Sequence, residues 1–322
     1  MSNSKKISKN IQQIAIANPQ KTNYINWVNI NSAGKAEIEF LRKTYGFKLS
    51  QLAASAAKAS SQRPIIAREA DYIFIILHFP VETNGRIMAA EIEFFIGHGF
   101  LISLPGAAVK PLNDFFNLCK KDSNSLLSYK LESSAILLYE ILNQLLKHSY
   151  ALLDNNSLAI SQAEQTVLKS QDQKKSAALI LSLRHNLINT RKIMQNHKNI
   201  IKRLMVMESS LIAPEQLKKY YSQLVDQTKN IWETLENQRD MVEALSASYE
   251  SLSNYRLSAI MKTLTIFYVI FSSLSLVAAI FSLNVDKNMP FINQPNGFWL
   301  VIIIMSLVGL SMLYLFKKKK WL

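Results

Sequence analysis

The sequence predicts an α/β cytoplasmic domain followed by long helices and a C-terminal two-span transmembrane helical hairpin. Three observations carry that prediction. Thr263 to Val285 is 23 residues without a charge, and Gly297 to Phe316 is 20 more; at 1.5 Å rise per residue each covers a hydrocarbon core of ~30 Å. Between Pro111 and Lys262 there is one further proline, Pro214, and no glycine, an absence of breakers that favours long helices. Before Pro111, short runs of strand formers are separated by turn dipeptides and helical patterns, which is the signature of a sheet with helices.

The chain divides accordingly. Residues 1–23 read as a flexible N-terminal segment, 24–110 as the α/β domain and 111–262 as the long-helix region. Residues 263–285 and 297–316 are the two spans, joined by an external loop at 286–296, and 317–322 form a basic tail. The first 36 residues hold five lysines and no acid but no apolar core, so a secretory signal is not expected. Tyr24-Ile25-Asn26-Trp27-Val28-Asn29-Ile30 is rich in strand formers. Helical patterns follow at Ala36 to Tyr45 and Leu49 to Ala59. Tyr72 to Phe79 is nearly continuously apolar, as suits a strand buried on both faces. Asn84-Gly85 marks a tight turn, and Gly97-His98-Gly99 another before the strand Phe100-Leu101-Ile102-Ser103-Leu104. A mixed sheet with helices is the economical arrangement.

In the helical region Pro214 suits the first position of the last helix, with Glu215 favourable in its first turn. Leu217, Tyr221, Leu224, Ile231, Leu235, Val242, Leu245, Tyr249 and Leu252 recur in a four/three alternation once the polar Thr228 and Gln238 are counted. One face is therefore buried against neighbouring helices. No breaker separates Pro214 from the end of the first span, so one helix of about 70 residues is expected to run from cytoplasm into membrane. Residues 174–207 hold eight Lys or Arg, two His and no acid. That stretch reads either as a solvated basic helix pair or as a contact for anionic membrane lipid.

Charge orients the hairpin. Lys317, Lys318, Lys319 and Lys320 follow the second span, Arg256 and Lys262 precede the first, and the loop holds only Asp286 and Lys287. Both chain ends are expected in the cytoplasm, in a bacterial inner membrane rather than a mitochondrion, since transit peptides favour Arg and the N-terminal segment has none. The net charge of +14 fits this bias. No helix-turn-helix, zinc-finger or aromatic RNA-binding pattern accompanies it, which argues against a nucleic-acid partner. The single Cys119 excludes an intrachain disulfide. His78, His98, His148, His185 and His197 show no metal-ligand spacing and read as structural or surface residues. Without a Gly-rich phosphate loop, a Ser/His/Asp set or paired carboxylates, neither an enzyme nor a catalytic cofactor is expected.

The first span holds the chemistry. Thr265, Tyr268, Ser272, Ser275, Ala279 and Ser282 are spaced three, four, three, four and three apart, so they share one helical face, and all but Ala279 carry a hydroxyl. Ile266, Ile270, Leu274, Val277 and Phe281 lie opposite. Such a stripe serves either as small contacts between packed helices or, with several copies around an axis, as the wall of a pore. In a pore, Asn284 adds a ring of amide oxygens. A hard cation such as Mg²⁺, which sheds water reluctantly, is then held through its waters. A non-conducting two-span scaffold or sensor is the competing class.

Met261-Lys262-Thr263-Leu264-Thr265-Ile266, then Ser282-Leu283-Asn284 and Met289-Pro290, resemble the first span and outer loop of the CorA family of divalent-cation channels. Phe316-Lys317-Lys318-Lys319-Lys320-Trp321-Leu322 resembles its basic C-terminus. Gln62-Arg63-Pro64, Tyr72-Ile73-Phe74-Ile75-Ile76-Leu77 and Phe94-Phe95-Ile96 are similar to its cytoplasmic domain, and Asp226-Gln227-Thr228 with Arg239-Asp240 to its long helix. The resemblance implies a funnel-shaped homopentamer whose first spans line the pore. It implies a selectivity filter at Ser282, Leu283 and Asn284, with Asn284 meeting the metal through ion-bound water. Pore-lining roles fall to Thr265, Tyr268, Ser272, Ser275 and Ala279, a cytoplasmic constriction to Met261 and Leu264, and a basic collar to Lys317, Lys318, Lys319 and Lys320.

Departures accompany the likeness. The family's Gly-Met-Asn stands here as Ser282-Leu283-Asn284, and a Ser in place of Gly restricts the backbone. Mg²⁺, with Co²⁺ or Ni²⁺, is the expected cargo, and Zn²⁺ is the rival because the family has a zinc-transporting branch. A Met-Pro pair common within the family's first span appears as Ser272-Ser273, and Phe291 stands where Glu is usual. The carboxylates with which family members sense cytosolic Mg²⁺ fall, by ungapped matching from Asn284, at Gln223 and Ala247. Asp226 and Asp240 are the substitutes at hand, although each also reads as an ordinary surface charge.

Overall fold

The computed structural model describes residues 4–6, 10–17, 24–31, 33–56, 63–106, 109–121, 133–169, 172–206, 214–283, 296–319 and 321. They form two compact units, Met1–Leu245 and Ser246–Leu322.

The first unit is built on a sheet whose longest hairpin follows directly from the sequence. β5 (Tyr72–Thr83) and β6 (Arg86–Gly97) pair antiparallel through Thr83↔Arg86, leaving a two-residue turn. Both turn residues have positive φ, Asn84 at 52° and Gly85 at 74°, the geometry that matches strand twist in a two-residue hairpin and that Asn-Gly supplies most easily. β5 extends past the expected Phe79 and carries Pro80 inside it. β4 (Ile65–Arg68) pairs only as far as Ile76, so the missing Pro80 N–H faces no second strand. β7 (Phe100–Pro105) continues from β6, and β3 (Tyr24–Ile30) joins β7 in parallel.

The N-terminal 23 residues depart from the expected flexible segment. They contribute β1 (Ser4–Lys6) and β2 (Ile11–Ala17), giving the order β1-β2-β3-β7-β6-β5-β4. Ile11, Ile14 and Ile16 are buried, and β2 pairs with β3 along its whole length. The strand was hidden because Gln12-Gln13 breaks the alternation of apolar residues.

Helices cover both faces. On one, α1 (Lys35–Tyr45) and α2 (Leu49–Ala56) place Leu41, Phe47 and Leu52 against Val28, Ile30, Phe74, Ile76 and Phe95. On the other, α3 (Lys110–Lys121) sets Phe115 and Phe116 against Trp27, and α4 (Ser134–Lys169) and α5 (Gln173–Met194) follow. The parallel β3–β7 pair is fixed by a buried polar chain. Trp27 Nε1 donates to Ser103 Oγ (3.1 Å), Ser103 Oγ donates to Asn29 Oδ1 (2.8 Å), and Asn29 Nδ2 donates to Asn113 Oδ1 (3.2 Å). A buried donor that loses its acceptor costs its desolvation, so Ser103→Ala should lower stability by about 1–3 kcal/mol. Chemical unfolding in detergent would measure this; an unchanged midpoint would mean that the chain contributes nothing.

α6 (His197–Val206) precedes α7 (Pro214–Phe281), a helix of 68 residues that matches the expected unbroken one but stops four residues before Val285. Every seam position from Leu217 to Leu245 is buried, Thr228 and Gln238 included. α4 lies parallel to this seam: Tyr139 Oη donates to Gln223 Oε1, Gln227 Nε2 donates to Asn143 Oδ1, and Asn156 Nδ2 donates to Gln238 Oε1. In the second unit α8 (Gly297–Lys318) is the other helix, and α7 and α8 are both long and apolar enough to cross a membrane.

Candidate functional site

The face of α7 that carries the hydroxyls is left uncovered by its own chain. Thr265, Tyr268, Ser272, Ser275 and Ala279 are all exposed, Tyr268 at 71%. The opposite face is the covered one. Ile266 is 5% exposed, and Ile270, Leu274, Val277 and Phe281 are half-buried. Leu274 Cδ2 lies 3.9 Å from where a Cβ on Gly309 would stand, an ordinary contact distance, so α8 meets the covered face of α7 at that point. Ser273 belongs to the covered side, its hydroxyl donating to the Val269 carbonyl at 2.8 Å.

The stripe therefore does not pack α7 against α8. Thr265 Oγ1 donates to the Met261 carbonyl at 2.8 Å, which commits its proton to the helix and leaves only acceptor capacity outward. An acceptor surface suits a cation's hydration shell better than an anion's.

Met261 and Leu264 are exposed on α7, at 57% and 61%. Ser282 lies just past the helix end, its N–H still bonded to the Ala278 and Ala279 carbonyls, and Leu283 N–H reaches the Ile280 carbonyl. Asn284, with Asp286, Lys287, Met289, Pro290 and Phe291, lies outside the described residues, as do Gln62 and Lys320. Lys317 and Lys318 form the last turn of α8 and Lys319 follows, all three exposed. Aromatic pairs stand near both ends of α8: Phe298 with Trp299, and Phe316 stacked on Trp321. This is the placement of interfacial anchors.

The same face of α7 extends beyond the apolar span. Counting back from Thr265 by the same alternation gives Met261, Ser258, Asn254 and Ser251, all exposed and uncharged. Past Met261 the polar line thus resumes at Ser258, Asn254 and Ser251, below the apolar run. In the first unit, Gln223 is held by Tyr139, and Asp240 is paired with Arg239 at 2.9 Å. Asp226 is exposed. Among the described residues no group of three His, Cys, Asp or Glu is arranged to hold a metal ion.

The chain is 25% identical over 301 residues to the cobalt/magnesium transport protein CorA of Thermotoga maritima, covering 92% of this chain and 83% of that one. Its fold matches the complete structure of the CorA magnesium transporter from Methanocaldococcus jannaschii, with a TM-score of 0.80 at 20% identity over 100% of this chain and 98% of that chain. The fold also resembles the ZntB cytoplasmic domain from Vibrio parahaemolyticus, with a TM-score of 0.52 at 14% identity over 72% of this chain and 88% of that one. A family model described as CorA-like Mg²⁺ transporter protein matches residues 22–318. The chain with the uncovered hydroxyl face belongs to the CorA family of divalent-cation transporters, which are not enzymes.

Proposed function

We propose that this chain is one subunit of a homopentameric channel that passes hydrated divalent cations through a bacterial inner membrane, with both chain ends in the cytoplasm. Mg²⁺ is the principal cargo, accompanied by Co²⁺ or Ni²⁺. The observation that carries the reading is the uncovered line Thr265, Tyr268, Ser272, Ser275 on a helix whose other face is covered. A hydroxyl stripe facing lipid would leave polar groups in hydrocarbon without reward. Around a five-fold axis the same stripe lines water. Asn284 rings the outer mouth, Ser282 and Leu283 precede it, and Met261 and Leu264 narrow the cytoplasmic side. The lysines from Lys317 onward form a basic collar.

Zn²⁺ is a second reading, favoured by Ser282-Leu283 in place of Gly-Met. Uptake of Mg²⁺, Co²⁺, Ni²⁺ and Zn²⁺ into proteoliposomes separates the two. Mg²⁺ uptake supports the first, Zn²⁺ alone supports the second, and no uptake of any ion favours a scaffold.

The channel also lacks an intersubunit Mg²⁺ sensor of the usual kind. Gln223 and Ala247 supply no carboxylate, Gln223 is engaged by Tyr139, and Asp240 is paired with Arg239, which it shares with Glu236 and Glu243. Hard-cation sites need several charged oxygens. Uptake should therefore continue undiminished when the cytoplasmic face is preloaded with millimolar Mg²⁺; strong inhibition there would overturn this part of the reading.

A further inference from the structure

The tip of the β5–β6 hairpin, α4 and α5 surround a cavity of about 220 Å³ within the first unit. Its walls are tied together by side chains. Asn186 Nδ2 donates to the Gly85 carbonyl (2.9 Å) and its Oδ1 accepts from the Ile87 N–H (3.0 Å), while Asn189 Nδ2 donates to the Ile87 carbonyl (3.1 Å). The hairpin tip is thus clamped onto α5, and the space beside the clamp is a fixed feature of the fold.

The lining has a definite chemical character. Leu153 and Leu183 are buried and, with Leu179 and Ile87, make an apolar floor. Asn155, Asn156 and Ser182 supply amide and hydroxyl groups. Among the described residues Glu82, exposed at the rim, is the only charged residue of the lining, and it makes no ion pair. Among the described residues no Lys, Arg or His lines the space.

A carboxylate without a cation excludes anionic ligands by repulsion. A hydrated Mg²⁺ is a poor fit, because one carboxylate above an apolar floor cannot satisfy its water shell.

We propose that this cavity binds a small organic cation, a primary alkylammonium of about four to six heavy atoms, with its ammonium group at Glu82 and its chain over Leu153 and Leu183. The ammonium takes up the carboxylate and neighbouring amide oxygens, and the methylenes replace water over the leucines. Asn156 lines the cavity and also holds Gln238 of α7, which in turn donates to the Leu153 carbonyl at 2.7 Å. An occupant therefore bears on the seam between α4 and the helix that carries the hydroxyl stripe. This site is separate from the ion pathway and does not depend on it.

The test is calorimetric titration of the full chain in nanodiscs, without divalent ions, with butylammonium, 1-butanol and butyrate. Butylammonium should bind saturably and at least about tenfold more tightly than either control, a difference of ~1.4 kcal/mol. Glu82→Gln should remove that preference for the cation. Ser182→Trp, at the exposed rim, should block entry, and the thermal unfolding midpoint of each variant verifies its fold. Absence of saturable butylammonium binding to the wild type would overturn the proposal. So would equal binding of all three probes, or binding unchanged in both variants.

Discussion

Asn284→Ala is expected to abolish divalent-cation uptake into proteoliposomes while leaving folding and assembly intact. In the proposed pentamer the substitution removes five amide groups from one ring. A hydrogen bond donated by ion-bound water to an amide oxygen contributes ~1 kcal/mol net, so five contribute ~5 kcal/mol. At 1.4 kcal/mol per decade, ion occupancy at the mouth falls by more than about 10³-fold. Ser273→Ala is the internal control. Its hydroxyl bonds back to Val269 on the covered face of α7, so uptake should change less than about twofold. The measurement is the initial rate of Mg²⁺ entry reported by a fluorescent indicator trapped inside the vesicles. An Asn284→Ala protein that conducts like the wild type would remove Asn284 from the filter. Equal losses in both variants would mean that the assay reads folding rather than permeation.

The parts of this molecule that were legible beforehand are those where period alone decides the outcome. From Leu217 to Leu245 the buried face of α7 follows the four/three alternation without exception, because a helix with one apolar stripe has one way to bury it. The two polar members find partners: Thr228 Oγ1 donates to the Val225 carbonyl in its own helix, and Gln238 Nε2 donates to the Leu153 carbonyl and Ser157 Oγ on α4. Asn84-Gly85 was legible for the same reason, since few residue pairs accept two positive φ angles. β2 was not, because Ile11 to Ala17 becomes a strand through its pairing with β3, and that partner is not encoded in its own pattern. In the candidate site, spacing identified which residues share a face, but not what faces them. That depended on which side of α7 is covered, and Gly309, where Leu274 approaches α8, had no signal of its own among apolar neighbours. The downward continuation through Ser258, Asn254 and Ser251 was within reach of the same spacing rule.

His197 illustrates the other limit of sequence, and carries the second large effect. Read as one of five structural or surface histidines, it turns out to be fully buried at the start of α6, its ring edge-on to Phe79 at 4.9 Å. Among the described residues neither ring nitrogen has a hydrogen-bond partner of good geometry, although the carbonyls of Ile193 and Met194 at the end of α5 lie near. Burial disfavours the charged ring and pushes its pKa down from 6.5 to about 4. The nearby carbonyls oppose that shift, while His78, itself bonded to Glu91, adds to it. The folded state therefore binds fewer protons than the unfolded state between these two values. Stability is full above pH 6.5, falls as pH drops toward 4, and levels off below. At ~1.4 kcal/mol per pH unit the loss amounts to about 3 kcal/mol. His197→Phe keeps an aromatic ring in the site and removes the titration. Unfolding midpoints of the two proteins in detergent should diverge progressively below pH 6.5, the variant retaining more of its stability. Curves that run parallel from pH 7 to 4.5 would mean that this ring takes up no proton on unfolding. Without hydrogen bonds to hold it, an imidazole in an apolar site contributes packing only while it is neutral, and acid removes that contribution.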